Sequence, residues 1–308
     1  MQGLTRRDFS RGSLAAMLAA QSAPFIVRAQ EDKKFRVVLI GSGWWGMNIL
    51  NTALDSGACA LAALCDVDER MLNKACGALE ARGVSRPKLY KDFRECLAKE
   101  KADIAIIGTP DHWHALPMIE ACRQGAHVYV EKPIGHTLME GRAMVNAAKK
   151  YGRVVQVGTH RRASPHNQSA RDFIRAGKLG RIGLVKCFIA YGGGAETPKR
   201  NIEPPKELDW DFWCGPAPLR PFCGDLKNAW SGGIHPRGFR NYMDYANGQL
   251  GDWGIHWLDQ VLWITGREHP VSCHSVGGRP VSGPAILTAE EQTSDGPDHQ
   301  VAAWTFAD

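Results

Sequence analysis

Three features are missing from this 308-residue chain. None of its nine cysteines (Cys59, Cys65, Cys76, Cys96, Cys122, Cys187, Cys214, Cys223 and Cys273) forms a CxxC pair, and their number is odd. Several lie in apolar patterns where cysteine behaves as a small hydrophobe, so no disulfide framework is implied. Cys214 and Cys223 are the pair that a bond would join, although two free thiols are the preferred reading. No basic run is interleaved with aromatics and the net charge is a modest +6, which leaves nucleic acid without an electrostatic footprint. Finally, no apolar run is long and unbroken enough for a membrane span; the stretch from Leu14 to Val27 is interrupted by Gln21, Ser22 and Pro24.

What is present first is an export signal. Thr5-Arg6-Arg7-Asp8-Phe9 is a twin-arginine pattern, the weakly apolar stretch follows it, and Val27-Arg28-Ala29 offers small residues for cleavage. Residues 1–29 are therefore expected to be a twin-arginine signal peptide, with a mature start near Gln30 and a periplasmic or otherwise exported product. Apolar residues at 44% and charged residues at 23% suit a globular remainder large enough for two domains.

From Phe35 onwards, short apolar runs alternate with amphipathic stretches. Strands are expected at 36–41, 59–66, 103–108, 127–130 and 154–158, with helices at 47–56, 68–80, 92–99, 114–124 and 138–149. Runs such as Val37-Val38-Leu39-Ile40 and Ile104-Ala105-Ile106-Ile107 suit strands covered on both faces. The expected fold is α/β, with a doubly wound parallel sheet over residues 30–159. Residues 160–308 form a second α/β domain, with a helix at 167–176, a strand at 181–191 and a helix at 253–264. Between them, 192–251 is rich in Pro, Gly and Trp with little periodicity, a length usual for functional loops. The last residues, Val301 to Asp308, read as the middle of a strand, so a longer reading frame is expected in the source DNA.

Gly41-Ser42-Gly43-Trp44-Trp45-Gly46 follows the first strand and opens a helix, and Asp66 ends the second strand twenty residues later. Glycines there allow a tight turn, close approach to a pyrophosphate and close helix–strand packing. The carboxylate accepts from ribose hydroxyls and repels a 2′-phosphate, which points to NAD rather than NADP. Thr109-Pro110-Asp111-His112-Trp113-His114 and Glu131-Lys132-Pro133 follow later strands at the same sheet edge, where open α/β sheets bind ligands. His112 and His114, two residues apart, do not share a helix face, and no third metal ligand has suitable spacing. Lys132 is placed to hydrogen-bond a reacting hydroxyl. Asp252, His256 and Asp259 recur on one helical face beside Trp253 and Trp257. The flanking carboxylates are expected to raise the basicity of His256.

In this order, the glycine loop, Thr109-Pro110, Glu131-Lys132-Pro133 and Asp252…His256…Asp259 resemble the glucose–fructose oxidoreductase, inositol dehydrogenase and rhizopine-catabolism (Gfo/Idh/MocA) family, over about Phe35 to Gly266. The resemblance implies a Rossmann domain, then an open-sheet α/β domain whose sheet face packs on another subunit, and a sugar or polyol substrate at their junction. It implies catalysis by Lys132, Asp252 and His256, and cofactor binding by Gly41, Gly43, Trp44, Trp45, Gly46, Asp66, Thr109, Pro110, His114, Glu131 and Lys132. Substrate contacts fall to His160, Arg161, Trp253 and Asp259. Export implies a nicotinamide cofactor that is loaded before translocation and regenerated in place. Either one sugar is oxidised as another is reduced, or a glycoside is oxidised transiently and then restored. Two alternatives stand beside this: a dinucleotide-binding sensor or scaffold without turnover, and a cytoplasmic dehydrogenase.

Overall fold

The computed structural model describes residues 34–190, 196–223 and 233–307. The twin-arginine stretch and its cleavage site lie outside the described residues, as do Tyr191 and Trp230.

Six strands form one parallel sheet: β1 (Phe35–Ile40), β2 (Cys59–Cys65), β3 (Lys88–Tyr90), β4 (Ile104–Ile107), β5 (His127–Val130) and β6 (Val155–Val157), in the order β3-β2-β1-β4-β5-β6. The helices between them are α1 (Trp44–Asp55), α2 (Glu69–Glu80), α3 (Phe93–Glu100), α4 (Ala115–Arg123) and α5 (Leu138–Tyr151). The apolar runs do what continuous runs predict. Val37, Val38, Leu39, Ala105 and Ile107 are fully buried or nearly so, with one core above the sheet and one below it. Burying each valine, leucine or isoleucine contributes about 1.5–3 kcal/mol, so the sheet is the stable platform of the molecule. Asp68 and Asp92 cap α2 and α3 by accepting from Arg70 N and Arg94 N, and Thr137 with Glu140 closes a capping box on α5. β3 is an addition to the expected strands. It is three residues long and two of them are exposed, so it carries no apolar pattern to read.

The order reverses between β1 and β4, and the loops after both strands open at that edge. Beyond β6 come α6 (Pro165–Arg175), β7 (Lys199–Arg200), α7 (Trp210–Cys214), a π-helical turn (Leu250–Gly254) running into α8 (Ile255–Thr265), β8 (Ser272–Gly278), β9 (Glu291–Gln292) and β10 (His299–Thr305). The strand expected at 181–191 is not formed over its described part. Residues 182–190 pair with no strand, and Leu184 and Phe188 stand exposed. An apolar run becomes a strand only when a neighbouring edge accepts from its N–H groups and donates to its C=O groups. The aperiodic stretch, by contrast, builds a core of its own from Leu208, Trp210, Trp213, Phe222, Ile234, Phe239, Tyr242 and Tyr245. The rings of Trp210 and Trp213 stack 4.7 Å apart.

All nine cysteines are free, with Cys214 Sγ 3.3 Å from Tyr245 Oη and Cys223 Sγ 3.6 Å from Tyr242 Oη. Among the described residues no helix is long and apolar enough to cross a membrane.

Candidate functional site

A cleft of ≈ 880 Å³ starts at the glycine loop and ends at the helix that carries His256. Its first part is shaped by glycine. A Cβ on Gly46 would lie 2.0 Å from Gly41 O, so α1 can pack this closely on the loop only without a side chain there. Gly43 faces open space and caps α1 with no side-chain partner, which leaves room and N–H donors for an anion. Asp66 accepts from Ser42 N (2.7 Å), Ser42 Oγ (2.9 Å) and Asp68 N (3.0 Å). Burial pushes its carboxyl up despite these bonds. A carboxylate takes about four hydrogen bonds, so one acceptor position is left for a ribose hydroxyl. These residues fit a nicotinamide dinucleotide.

Further evidence for a ligand comes from unsatisfied atoms. Nine buried side-chain polar atoms lack a partner among the described residues, and five of them line this cleft: Asn51 Oδ1, Thr109 Oγ1, Asp111 Oδ2, Arg161 Nε and His235 Nδ1. Buried polar groups are almost always bonded, so a cluster of exceptions marks a place where something else binds.

At the far end, Lys132 Nζ donates to the Asp252 carboxylate and, at 3.0 Å, to Asp252 O. Arg240 Nε lies 3.3 Å from the same carboxylate. Burial opposes ionisation of Asp252, but the charges of Lys132 and Arg240 outweigh it and hold the carboxyl below its ordinary range. His256 lies edge-on to His160, with centroids 5.1 Å apart, and 5.8 Å from the Trp253 ring. His160 in turn lies 5.3 Å from Trp45 of the glycine loop. The basicity expected of His256 is reversed: burial, then Lys132, His160 and Arg161, lower its pKa to about 4. The carboxylates that were to raise it are engaged elsewhere. Asp252 pairs with Lys132 and Arg240, and Asp259 with Arg162 at 2.9 Å.

The helix around His256 is inside out. Asp252, His256 and Gln260, four residues apart, are its buried face, while Ile255, Leu258 and Leu262 are only partly covered. That arrangement suits a helix facing a polar ligand.

Gly41, Gly43, Trp44, Trp45, Asp66, Thr109, Pro110, Glu131, Lys132, His160, Arg161, Asp252, Trp253 and His256 all line the cleft. Three candidates do not. Gly46 lies behind the loop; Asp259 is held away by Arg162; His114 is buried, with its ring nitrogens 2.6 Å from Pro133 O and 3.0 Å from Thr109 O. His114 thus sits between the two loops that carry Thr109 and Lys132, and its neutral ring donates to one of these carbonyls. Glu131 is buried under Gly158, where a Cβ would come within 2.3 Å of its carboxylate, and accepts from Lys132 N at 3.1 Å. His112 also turns its ring to backbone carbonyls, those of Trp213 (2.9 Å) and Tyr245 (3.3 Å).

Sequence reasoning passed over Asp111, His235 and Arg240. Asp111 lies in a motif that drew attention to its histidines, yet burial pushes its carboxyl up to about 7. The other two come from the aperiodic stretch. His235 Nε2 lies 2.9 Å from Asp68, the cap of α2 just beyond β2, and Arg237 covers the Trp44 ring at 4.5 Å. Glu69 N donates to Glu207 O and Asp209 N to Val67 O, both at 3.0 Å, and Lys91 pairs with Asp209 at 2.8 Å. The second half is thereby fastened over the β2 end of the cleft.

These features define a dinucleotide-binding Rossmann fold, and comparison with known proteins gives it a family. Residues 35–159 match the model described as oxidoreductase family, NAD-binding Rossmann fold, and 186–278 match that of its C-terminal alpha/beta domain. The chain belongs to the Gfo/Idh/MocA oxidoreductase family. It is 28% identical to the rhizopine catabolism protein MocA of Rhizobium meliloti over 236 residues, 76% of this chain and 58% of that protein. It is 31% identical to the D-apiose dehydrogenase of Paraburkholderia graminis over 166 residues, 52% of this chain and 43% of the other. The WlbA dehydrogenase of Bordetella pertussis, solved with NADH and UDP-GlcNAcA, superposes with a TM-score of 0.61 at 20% identity, over 88% of this chain and 68% of that one. The chain therefore spans less than two thirds of the length of these curated relatives.

Proposed function

We propose that the protein moves a hydride between NAD and a CH–OH group of a sugar, polyol or glycoside. The observation that carries this reading is the meeting of Lys132, Asp252 and His256 in a cleft that begins at the glycine loop. Bound nicotinamide supplies the redox partner. A ring nitrogen of His256, whose depressed pKa keeps it neutral well below pH 7, accepts the hydroxyl proton. Lys132 Nζ holds the reacting oxygen and stabilises negative charge developing there. Asp252 fixes Lys132 by two contacts rather than orienting His256. The free acceptor position on Asp66 favours NAD over NADP, since a 2′-phosphate would meet its charge. The fastenings over the β2 end support a cofactor that leaves slowly, and with it a cycle that regenerates the cofactor in place.

The test is to purify the protein without added nucleotide, denature it and identify the released ligand by mass spectrometry. Near-equimolar NAD or NADH supports the closed cycle. A protein that emerges empty and binds NAD weakly refutes that cycle. Export is part of the reading, resting on Arg6-Arg7, the weakly apolar stretch from Leu14 to Val27 and the small residues around Ala29. Cell fractionation tests it: the Arg6→Lys, Arg7→Lys variant should stay in the cytoplasm, and equal distribution of both forms would refute export.

A further inference from the structure

The guanidinium of Arg161 stands out among the charged groups of the cleft. Its centre lies 4.6 Å from the Trp257 ring and 5.6 Å from the Trp253 ring, and its Nε is buried without a partner. Among the described residues it makes no ion pair, and two acids of the helix that carries His256 are taken by other cations. Asp252 is held by Lys132 and Arg240, and Asp259 by the next residue, Arg162. The chain has thus provided both of these carboxylates with another cation and left this one open to the cleft.

A charge held by two indoles is positioned rather than merely solvated. Cation–π contact with two rings restricts where the guanidinium sits, so its fork is largely positioned before a ligand arrives. Trp253 is also packed against His256, so whatever Arg161 holds lies next to the proposed proton acceptor.

We propose, on the basis of the hydride-transfer reading above, that Arg161 receives a carboxylate of the substrate and that the substrate class is the sugar acids. The planar fork matches a carboxylate through two parallel hydrogen bonds, and a neutral sugar leaves it unpaired. Such an anion has a second effect. Burial, Lys132, His160 and Arg161 all lower the proton affinity of His256, and Asp252 raises it. A substrate carboxylate neutralises the guanidinium of Arg161 and makes His256 a stronger base when substrate is bound.

The experiment measures binding of D-glucuronate, D-galacturonate and D-mannuronate to the NADH-loaded protein by calorimetry, each beside its neutral parent sugar and the 6-phosphate of that parent. Charge-assisted hydrogen bonds lead us to expect at least one acid to bind about tenfold to hundredfold more tightly than its neutral parent. Arg161→Gln should erase that preference, and Arg161→Lys should keep part of it by retaining charge without the fork. A panel in which no acid outbinds its neutral parent, or in which the preference survives in Arg161→Gln, overturns the assignment. So does tighter binding of the 6-phosphates than of the acids. Either result with NADH still bound leaves the hydride-transfer reading standing, whereas failure to bind NADH defeats that reading first.

Discussion

In residues 35–159, β1 and β4 are buried over most of their length between two layers of helix; in the second half, β8 and β10 are exposed along nearly every residue. The first region is a platform whose close contacts are backbone against backbone, such as Gly46 against Gly41. The second takes its order from an aromatic cluster and from polar fastenings to the platform, such as His235 to Asp68. The cleft lies where the two meet. Its binding end is built mainly from platform loops, and the proposed chemistry depends on both halves, Lys132 from one and Asp252 with His256 from the other.

That contrast can be tested, and the largest effect is expected where the halves join. Lys132→Met and His256→Ala should each lower kcat by about 10²–10⁴-fold while NADH still binds, measured by steady-state kinetics and fluorescence titration. Unchanged turnover in either variant would refute the catalytic assignment. Next come the glycines. Gly46→Ala should cost roughly 3 kcal/mol or more in urea unfolding, because its Cβ has no space. Gly278→Ala in β8, where nothing lies within 4 Å, should stay within about 0.5 kcal/mol. Equal losses at both positions would mean that the regions are not packed differently.

Smaller effects arise from proton affinities. For His256 the folded value is depressed, so the neutral form persists as pH falls from 6.5 to about 4. The acid limb of kcat/KM should accordingly fall near pH 4; a limb near 6.5 would show that the ring is not in this environment. For Asp111 the folded value is raised from 3.8 to about 7. Its contribution to stability is complete below 3.8 and is lost as pH rises through 7, as an unpaired buried carboxyl ionises. Asp111→Asn should therefore gain about 1–2 kcal/mol over the wild type at pH 8 and nothing at pH 4 in thermal melts. Smallest of all, Val301→Thr on β10, 55% exposed, should shift stability by less than about 0.5 kcal/mol.

The platform was legible because a strand covered on both faces must be apolar throughout, and such runs can be counted without knowing their neighbours. The glycine loop was legible for a similar reason: Gly46 is demanded by a contact only five residues away, with Gly41. Lys132, Asp252 and His256 were legible only as a pattern in order, since 120 residues separate the lysine from the carboxylate it meets. Residues 182–190 show the opposite case. Their apolar character was visible, but a strand needs an edge to pair with, and no local signal reveals one.

The sequence by itself determined the parallel sheet, the loop that opens it and the residue types available for chemistry, because these depend on periodicity and on contacts a few positions apart. Tertiary structure alone decided which charges neutralise one another. Among the described residues it gave Asp252 to Lys132 and Arg240, Asp259 to Arg162, and no acid to Arg161, and it lowered His256 where flanking carboxylates were expected to raise it. Charge–charge energies fall off with distance through space and depend on burial, so only the folded arrangement fixes which partner each ion meets.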